Sequence, residues 1–244
     1  EQPPAVPMSF KKEIRLNNLS FRYGENIPMV LNRINLTLTK GKSIGFIGVT
    51  GCGKSTLLDI IMGLLSPVNG RLIIDNQTID EDNIRAWQMH IAHVPQIVYL
   101  SDGSIEENIA FGIEKDLIDH QQVKKSAQLA QIAELIEGWK DGYQTFVGER
   151  GILLSGGQRQ RIGIARALYF DKKVIVLDES TSNYLKMDQS NSADIRYAYV
   201  VDDKDTNYLL LDSSDDQVIL AGNRTDQWDI YYIGSPNTSP VRNV

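Results

Sequence analysis

The sequence has 244 residues, 42% hydrophobic and 23% charged, with a formal net charge of −6. This is a globular composition, long enough for one large domain plus a small appendage. It has no apolar run of the roughly 18–20 residues that a membrane-spanning helix needs and no basic-then-apolar leader. It also lacks a basic stripe, which argues against nucleic acid as the main partner.

Taken in chain order, the opening EQPPAVPMSF starts with Glu and is rich in Pro. That suits a linker over residues 1–9 leading from a preceding domain, and a chain that is a piece of something longer. Residues 13–23 (EIRLNNLSFRY) alternate like a strand. Residues 33–39 alternate strictly, with Ile34, Leu36 and Leu38 on one side. After the Lys40-Gly41-Lys42 turn, residues 43–49 (SIGFIGV) form an apolar run of buried-strand length, and residues 54–65 have apolar side chains at helical spacing. Short strands are expected at 71–75 and 91–95, a helical pattern from about 104 to 140, a helix over 156–169, and an apolar strand at Val174–Leu177. Strands alternating with helices predict an α/β domain with a mostly parallel sheet.

The remaining residues differ. RYAYVV (196–201), NYLLLD (207–212), QVILAG (217–222) and DIYYIG (229–234) are short strand-like runs separated by Asp, Asn, Ser and Gly. From Tyr184 onward there are 10 acidic and 5 basic residues, so most of the net negative charge sits in this tail.

The chemistry begins at Gly48-Val49-Thr50-Gly51-Cys52-Gly53-Lys54-Ser55, which fits G-x-x-x-x-G-K-[ST]. It follows a predicted strand and opens a predicted helix, as that motif requires. Gly51 and Gly53 let the backbone turn tightly, so that successive N–H groups converge on phosphate oxygens. The helix N-terminus adds partial positive charge. Lys54 is placed to neutralise β/γ-phosphate charge, the Ser55 hydroxyl can ligate Mg²⁺, and Thr56 follows in the same turn. Cys52, the one cysteine, excludes an internal disulfide and a cysteine-based zinc site, and reads as a tolerated small residue of the loop. The apolar strand 174–177 ends in Asp178 and Glu179, at the end of a strand where open α/β sheets bind ligands. Asp178 is placed to hold Mg²⁺ and Glu179 to polarise an attacking water.

Leu154-Ser155-Gly156-Gly157-Gln158, followed by Arg159-Gln-Arg-Ile-Gly-Ile-Ala-Arg-Ala-Leu168, closely resembles the signature of the ABC ATPase family. Gln96 in Val94-Pro-Gln resembles that family's Q-loop glutamine, and Tyr23 in Phe21-Arg-Tyr resembles its adenine-stacking aromatic. Thr145-Phe-Val-Gly-Glu149-Arg-Gly and Asp102-Gly-Ser-Ile-Glu-Glu-Asn-Ile-Ala-Phe-Gly112 resemble segments of exporter-type members. The likeness covers about residues 10–183. Within exporters it is nearest in look to flippases of lipid-linked oligosaccharides.

The resemblance implies a P-loop NTPase fold with a RecA-like core sheet, an antiparallel β subdomain and an α-helical signature subdomain at about 97–166, followed by a short β-rich segment at 184–244. It implies ATP and Mg²⁺ as ligands, with Tyr23, residues 48–56 and Ser155, Gly156, Gly157 and Gln158 binding nucleotide. Ser55, Gln96 and Asp178 would hold the metal, and Glu179, Gln96 and Lys54 would act in catalysis. The helix start at Ser155 would meet the γ-phosphate held by a second copy, in a head-to-tail dimer. A transmembrane domain upstream on the same polypeptide would place the chain at the cytoplasmic face of a membrane.

The sequence departs from the family after Ser182. Where Ala-Leu-Asp is expected stand Asn183, Tyr184 and Leu185, so the partner-contacting aspartate is replaced by Leu185. The three histidines, His90, His93 and His120, all precede the acidic strand, so none can take the family's switch-histidine role. The alternative expectation is therefore a nucleotide-binding module with little or no turnover.

Overall fold

The computed structural model describes residues 8–48 and 51–177, together with the backbone of five strands at 194–200, 209–213, 217–221, 229–232 and 240–243. It resolves into two compact units: residues 1–92, 173–206 and 225–244 in one, and 93–172 and 207–224 in the other.

The first unit begins with β1 (Glu13–Phe21), β2 (Leu31–Thr39), β4 (Asn69–Ile74) and β5 (Gln77–Thr78), which form an antiparallel sheet in the order β2-β1-β4-β5. In β2 the alternation of apolar and polar residues becomes alternating burial, with Leu31, Ile34, Leu36 and Leu38 inside. β1 bulges between Leu16 and Leu19, where Asn18 takes a φ of 49°. Gly70 (φ 81°) sits against that bulge, and a Cβ there would stand 2.3 Å from the Asn18 carbonyl oxygen.

The second sheet of this unit is built on β3 (Ser43–Gly48) and β7 (Val174–Leu177). Its order is β12-β11-β3-β8-β7-β6, with β6 at Ile91–Val94, β8 at Asp194–Val200, β11 at Asp229–Tyr232 and β12 at Pro240–Asn243. β11 runs parallel to β3, while β8 runs antiparallel to both β3 and β7. The sheet is thus mixed rather than mostly parallel. The tail explains the difference: β8 lies between the two strands that carry the phosphate-loop and acidic motifs. There it satisfies the ladder N–H and C=O groups of both neighbours.

Helix α1 (Lys54–Ile61) packs into the core of this unit with Leu57, Leu58, Ile60 and Ile61, all at most 1% exposed. It stops short of the expected Leu65 because Gly63 turns left-handed (φ 69°). Helix α2 (Ile84–Gln88) brings Trp87 into the core, where its indole Nε1 donates to the Ile61 carbonyl at 2.7 Å. Phe10 meets the Trp87 ring edge-on at 5.4 Å. The segment before β1 is clipped by Asp75, whose carboxylate accepts from the backbone N–H groups of Lys11, Lys12 and Glu13.

In the second unit the expected helical stretch is divided into α3 (Ile105–Ile109), α4 (His120–Leu129) and α5 (Ala133–Glu137). Ser104 and Glu107 cap α3 reciprocally, Gly112 (φ 87°) lies beyond it, and Asp119 accepts from Gln121 N and Gln122 N to start α4. Helix α6 (Gly156–Tyr169) spans the expected residues. β9 (Leu209–Ser213) and β10 (Gln217–Ala221) pair as an antiparallel hairpin.

Candidate nucleotide site

The phosphate-loop turn is built from two left-handed glycines, Gly51 (φ 81°) and Gly53 (φ 98°). A Cβ at Gly51 would meet nothing within 4 Å, so only its backbone angle selects glycine. At Gly53 a Cβ would lie 3.0 Å from Leu31 Cδ2 and 3.2 Å from the Val30 carbonyl oxygen. Glycine is therefore needed twice over at position 53, by φ and by the close approach of β2. Gly53 is also the N-cap of α1, which has no side-chain cap and no acidic residue in its first turn. An uncapped helix start beside a turn of this kind is an anion-binding geometry.

Lys54 is buried at 4% exposure, and its Nζ donates to Cys52 Sγ at 3.7 Å. A buried ammonium beside the turn is the charge that a polyphosphate would need there. Ser55 is half-buried and Thr56 buried in the same turn of α1. The backbone of Gly48 ends β3; Val49 and Thr50 lie outside the described residues. The donor set fits a nucleotide phosphate chain.

Tyr23 is 59% exposed, two residues past the end of β1. Phe21 holds it edge-on, with ring centroids 5.0 Å apart at 89°, and its hydroxyl lies 2.9 Å from Thr56 Oγ1. The aromatic face at position 23 and the helix start at position 54 are thus brought together within one unit.

β7 is buried at all four positions, Val174 to Leu177, and Val174 N donates to the His90 carbonyl at 2.9 Å. The chain is thereby fixed up to the residue before Asp178. Asp178 and Glu179, and the departures at Asn183, Tyr184 and Leu185, lie outside the described residues.

In the second unit, Gln96 is exposed two residues beyond β6. Ser155 is the N-cap of α6 in an extended conformation (φ −66°, ψ 164°). Its Oγ accepts from Gln158 N at 3.2 Å, while Gln158 Oε1 accepts from Ser155 N at 2.8 Å. Ser155 and Gln158 therefore build a capping box, and Gly156 and Gly157 occupy the first two helical positions above it. The S-x-x-Q spacing is a signal of that box which the reading of these residues as anion donors passed over. Arg159 was likewise missed: its Nη1 donates to the Leu154 carbonyl at 2.7 Å and fixes the residue before the cap. The loop ahead of it takes positive φ at Gly148 (74°), Arg150 (55°) and Gly151 (71°), and a Cβ at Gly151 would stand 2.8 Å from Leu100 Cδ1. Leu153 (71%) and Ile152 (76%) are left exposed.

A second missed node is Asn108, fully buried, which accepts from Ser101 N and donates to the Ser101 and Ser104 carbonyls. Arg166 then donates to the Asn108 and Tyr99 carbonyls at 2.8 and 3.0 Å, and its guanidinium lies 4.7 Å from the Phe111 ring centroid. Nothing in the spacing of positions 101, 108 and 166 marks them as neighbours.

A family model described as ABC transporter matches residues 31–182. The chain is 39% identical over 188 residues to the ATP-dependent lipid A-core flippase of Chromohalobacter salexigens, covering 75% of this chain and 32% of the flippase. It is 38% identical over 184 residues to the mitochondrial iron-sulfur clusters transporter ATM1 of Chaetomium globosum, covering 75% of this chain and 30% of that protein. Among solved structures, an ATP-bound bacterial Atm1-family ABC exporter superposes with a TM-score of 0.65 at 29% identity, covering 78% of this chain and 32% of the exporter chain. The chain spans about a third of the length of these curated relatives.

Proposed function

The chain belongs to the ABC transporter family, whose ATP-binding domain is an ATPase, and on that footing we propose that it binds and hydrolyses ATP to power an exporter. Its substrate would be lipid-linked or otherwise amphipathic, a reading supported by the flippase relative, whose name gives lipid A-core. The observation that carries the reading is the turn at Gly51 and Gly53, which opens onto the uncapped start of α1 beside buried Lys54.

ATP with Mg²⁺ supplies a reactive β–γ anhydride whose negative charge the metal shares. The backbone of residues 48–53 and the first turn of α1 hold the phosphate oxygens, and Lys54 neutralises charge that grows as the anhydride breaks. When Mg²⁺ is bound, Ser55, Gln96 and Asp178 would hold it, and Tyr23 would stack on adenine. Glu179 orients the attacking water and takes up its proton. No histidine of the sequence follows His120, so in this proposal the chemistry rests on Gln96 and Glu179 without a switch histidine. Reading the chain as a binding module with little turnover draws no support from the relatives.

Residues 10–183 make up the ATP-binding domain in this proposal, with a helical subdomain at about 97–166, a linker at 1–9 and the acidic segment at 184–244. Ser155, Gly156, Gly157 and Gln158 face the γ-phosphate of a second copy in a head-to-tail dimer. None of the helices formed by the described residues is long and apolar enough to cross a membrane. The remaining two thirds of the relatives' length leaves room for a transmembrane partner, upstream on the same polypeptide, with this domain at the cytoplasmic face.

Steady-state hydrolysis of Mg·ATP tests the proposal. Glu179→Gln should keep ATP affinity while losing at least about a hundredfold in rate, as expected for removal of a general base. An equal rate in the two chains would remove Glu179 from the chemistry.

A further inference from the structure

Thr56 is buried at 5% exposure and stands at the third position of α1. Its Oγ1 lies 2.9 Å from the hydroxyl of Tyr23, which is otherwise an exposed side chain on a loop. Several contacts bring them together. The 22–29 loop is closed at its base, where Val30 N donates to the Phe21 carbonyl at 2.8 Å. The bare Cα of Gly53 lets α1 seat against Val30 and Leu31. Phe21 then fixes the plane of the Tyr23 ring from one side, edge-on at 89°.

A threonine hydroxyl accepts up to two hydrogen bonds and donates one. When Tyr23 donates to Thr56 Oγ1, the threonine proton is left to point at an acceptor elsewhere, and the phosphate-binding turn lies beside it on the same helix. Hydrogen bonds in such a chain polarise and strengthen one another. From this geometry we infer that Thr56 is a positioning residue for Tyr23 and that the pair couples recognition of the base to the grip on the phosphates. The tie holds the ring ready for adenine before nucleotide arrives, so the ordering cost of an exposed side chain is met in advance. A phosphate oxygen that accepts from Thr56 would in turn fix Tyr23 as the donor. This inference rests on the proposed placing of adenine against Tyr23.

The test is a double-mutant cycle read by calorimetric titration with Mg·ATP and, separately, with Mg·tripolyphosphate, which has phosphates and no base. Tyr23→Phe keeps the ring and, at an exposed position, leaves the fold intact. It should weaken ATP about threefold to tenfold, the worth of one hydrogen bond, and weaken tripolyphosphate by a smaller factor, because Thr56 loses the neighbour that polarises its own hydroxyl. In a Thr56→Val background the same substitution should have no further effect on ATP, and in a Thr56→Ser background its cost should return. A silent Tyr23→Phe, or a cost undiminished by Thr56→Val, overturns the coupling. Tyr23→Ala separates this result from the reading beneath it. If Tyr23→Ala weakens ATP while Tyr23→Phe is silent, stacking stands and the tie falls. If Tyr23→Ala is itself silent, adenine is not at Tyr23 and both fall.

Discussion

At the residue scale the decisive position is Gly53. Its φ of 98° is open to glycine and strained for other residues, and the space a Cβ would fill is already taken by Leu31 and Val30. Gly53→Ala is expected to cost more than the roughly 1–2 kcal/mol of left-handed backbone alone, because β2 must also move. The loss should appear as a lower Tm in the absence of nucleotide, together with weaker ATP binding. Gly51→Ala, with open space around its Cβ, should lower Tm less; equal losses at the two positions would show that the contact with β2 carries no weight. The need for glycine was legible in the sequence because the phosphate-loop motif is local and its spacing follows from the turn it must make. The Tyr23–Thr56 bond was not legible, since it joins residues 33 apart that no pattern relates. The Ser155–Gln158 box was legible in principle, being a local three-residue spacing of Ser and Gln.

At the scale of elements, Asp75 holds the segment before β1 by three backbone donors. Burial by itself raises its carboxyl, but the amides of Glu13, Lys11 and Lys12 and the Lys12 charge together hold it below the ordinary aspartate value of 3.8. A carboxylate with a lowered pKa in the fold stabilises it at pH above the unfolded value, and that contribution is lost as pH falls through the folded one. Asp75→Asn should therefore lower Tm by a constant amount at neutral pH, with the gap to the unsubstituted chain closing below about pH 4. A gap that stays the same down to pH 3 would show that the carboxylate charge is not what holds the segment.

Element type was readable wherever one period ran unbroken, as in β2, β7 and α6. Boundaries were lost where a backbone sign change intervened. Gly63 shortens α1, and Gly112 and the Asp119 cap divide the helical stretch before the signature. Hydrophobic periodicity carries no record of φ, so these breaks show only as glycines and caps.

At the scale of the whole molecule, the tail is where reading by pattern and the fold part company. Its runs predicted short strands, and strands are found, but their periodicity says nothing of which neighbour they take. β8 enters between β3 and β7, and β11 lies on the other side of β3. Amides of residues 195–199 are expected to exchange as slowly as those of β3, since both ladders of β8 are paired. Exchange of this segment at the rate of an unstructured peptide would remove β8 from the sheet. The match to the family model ends at residue 182, before β8.

The phosphate-loop part of the nucleotide site lies in β3 and α1, with Tyr23 beside it. Calorimetric titration of Mg·ATP into the chain, with Lys54→Ala beside it, tests that site most directly. Saturable one-to-one binding that disappears in Lys54→Ala is the expected result. An affinity for ATP indifferent to Lys54, or no binding by the unsubstituted chain, would contradict it.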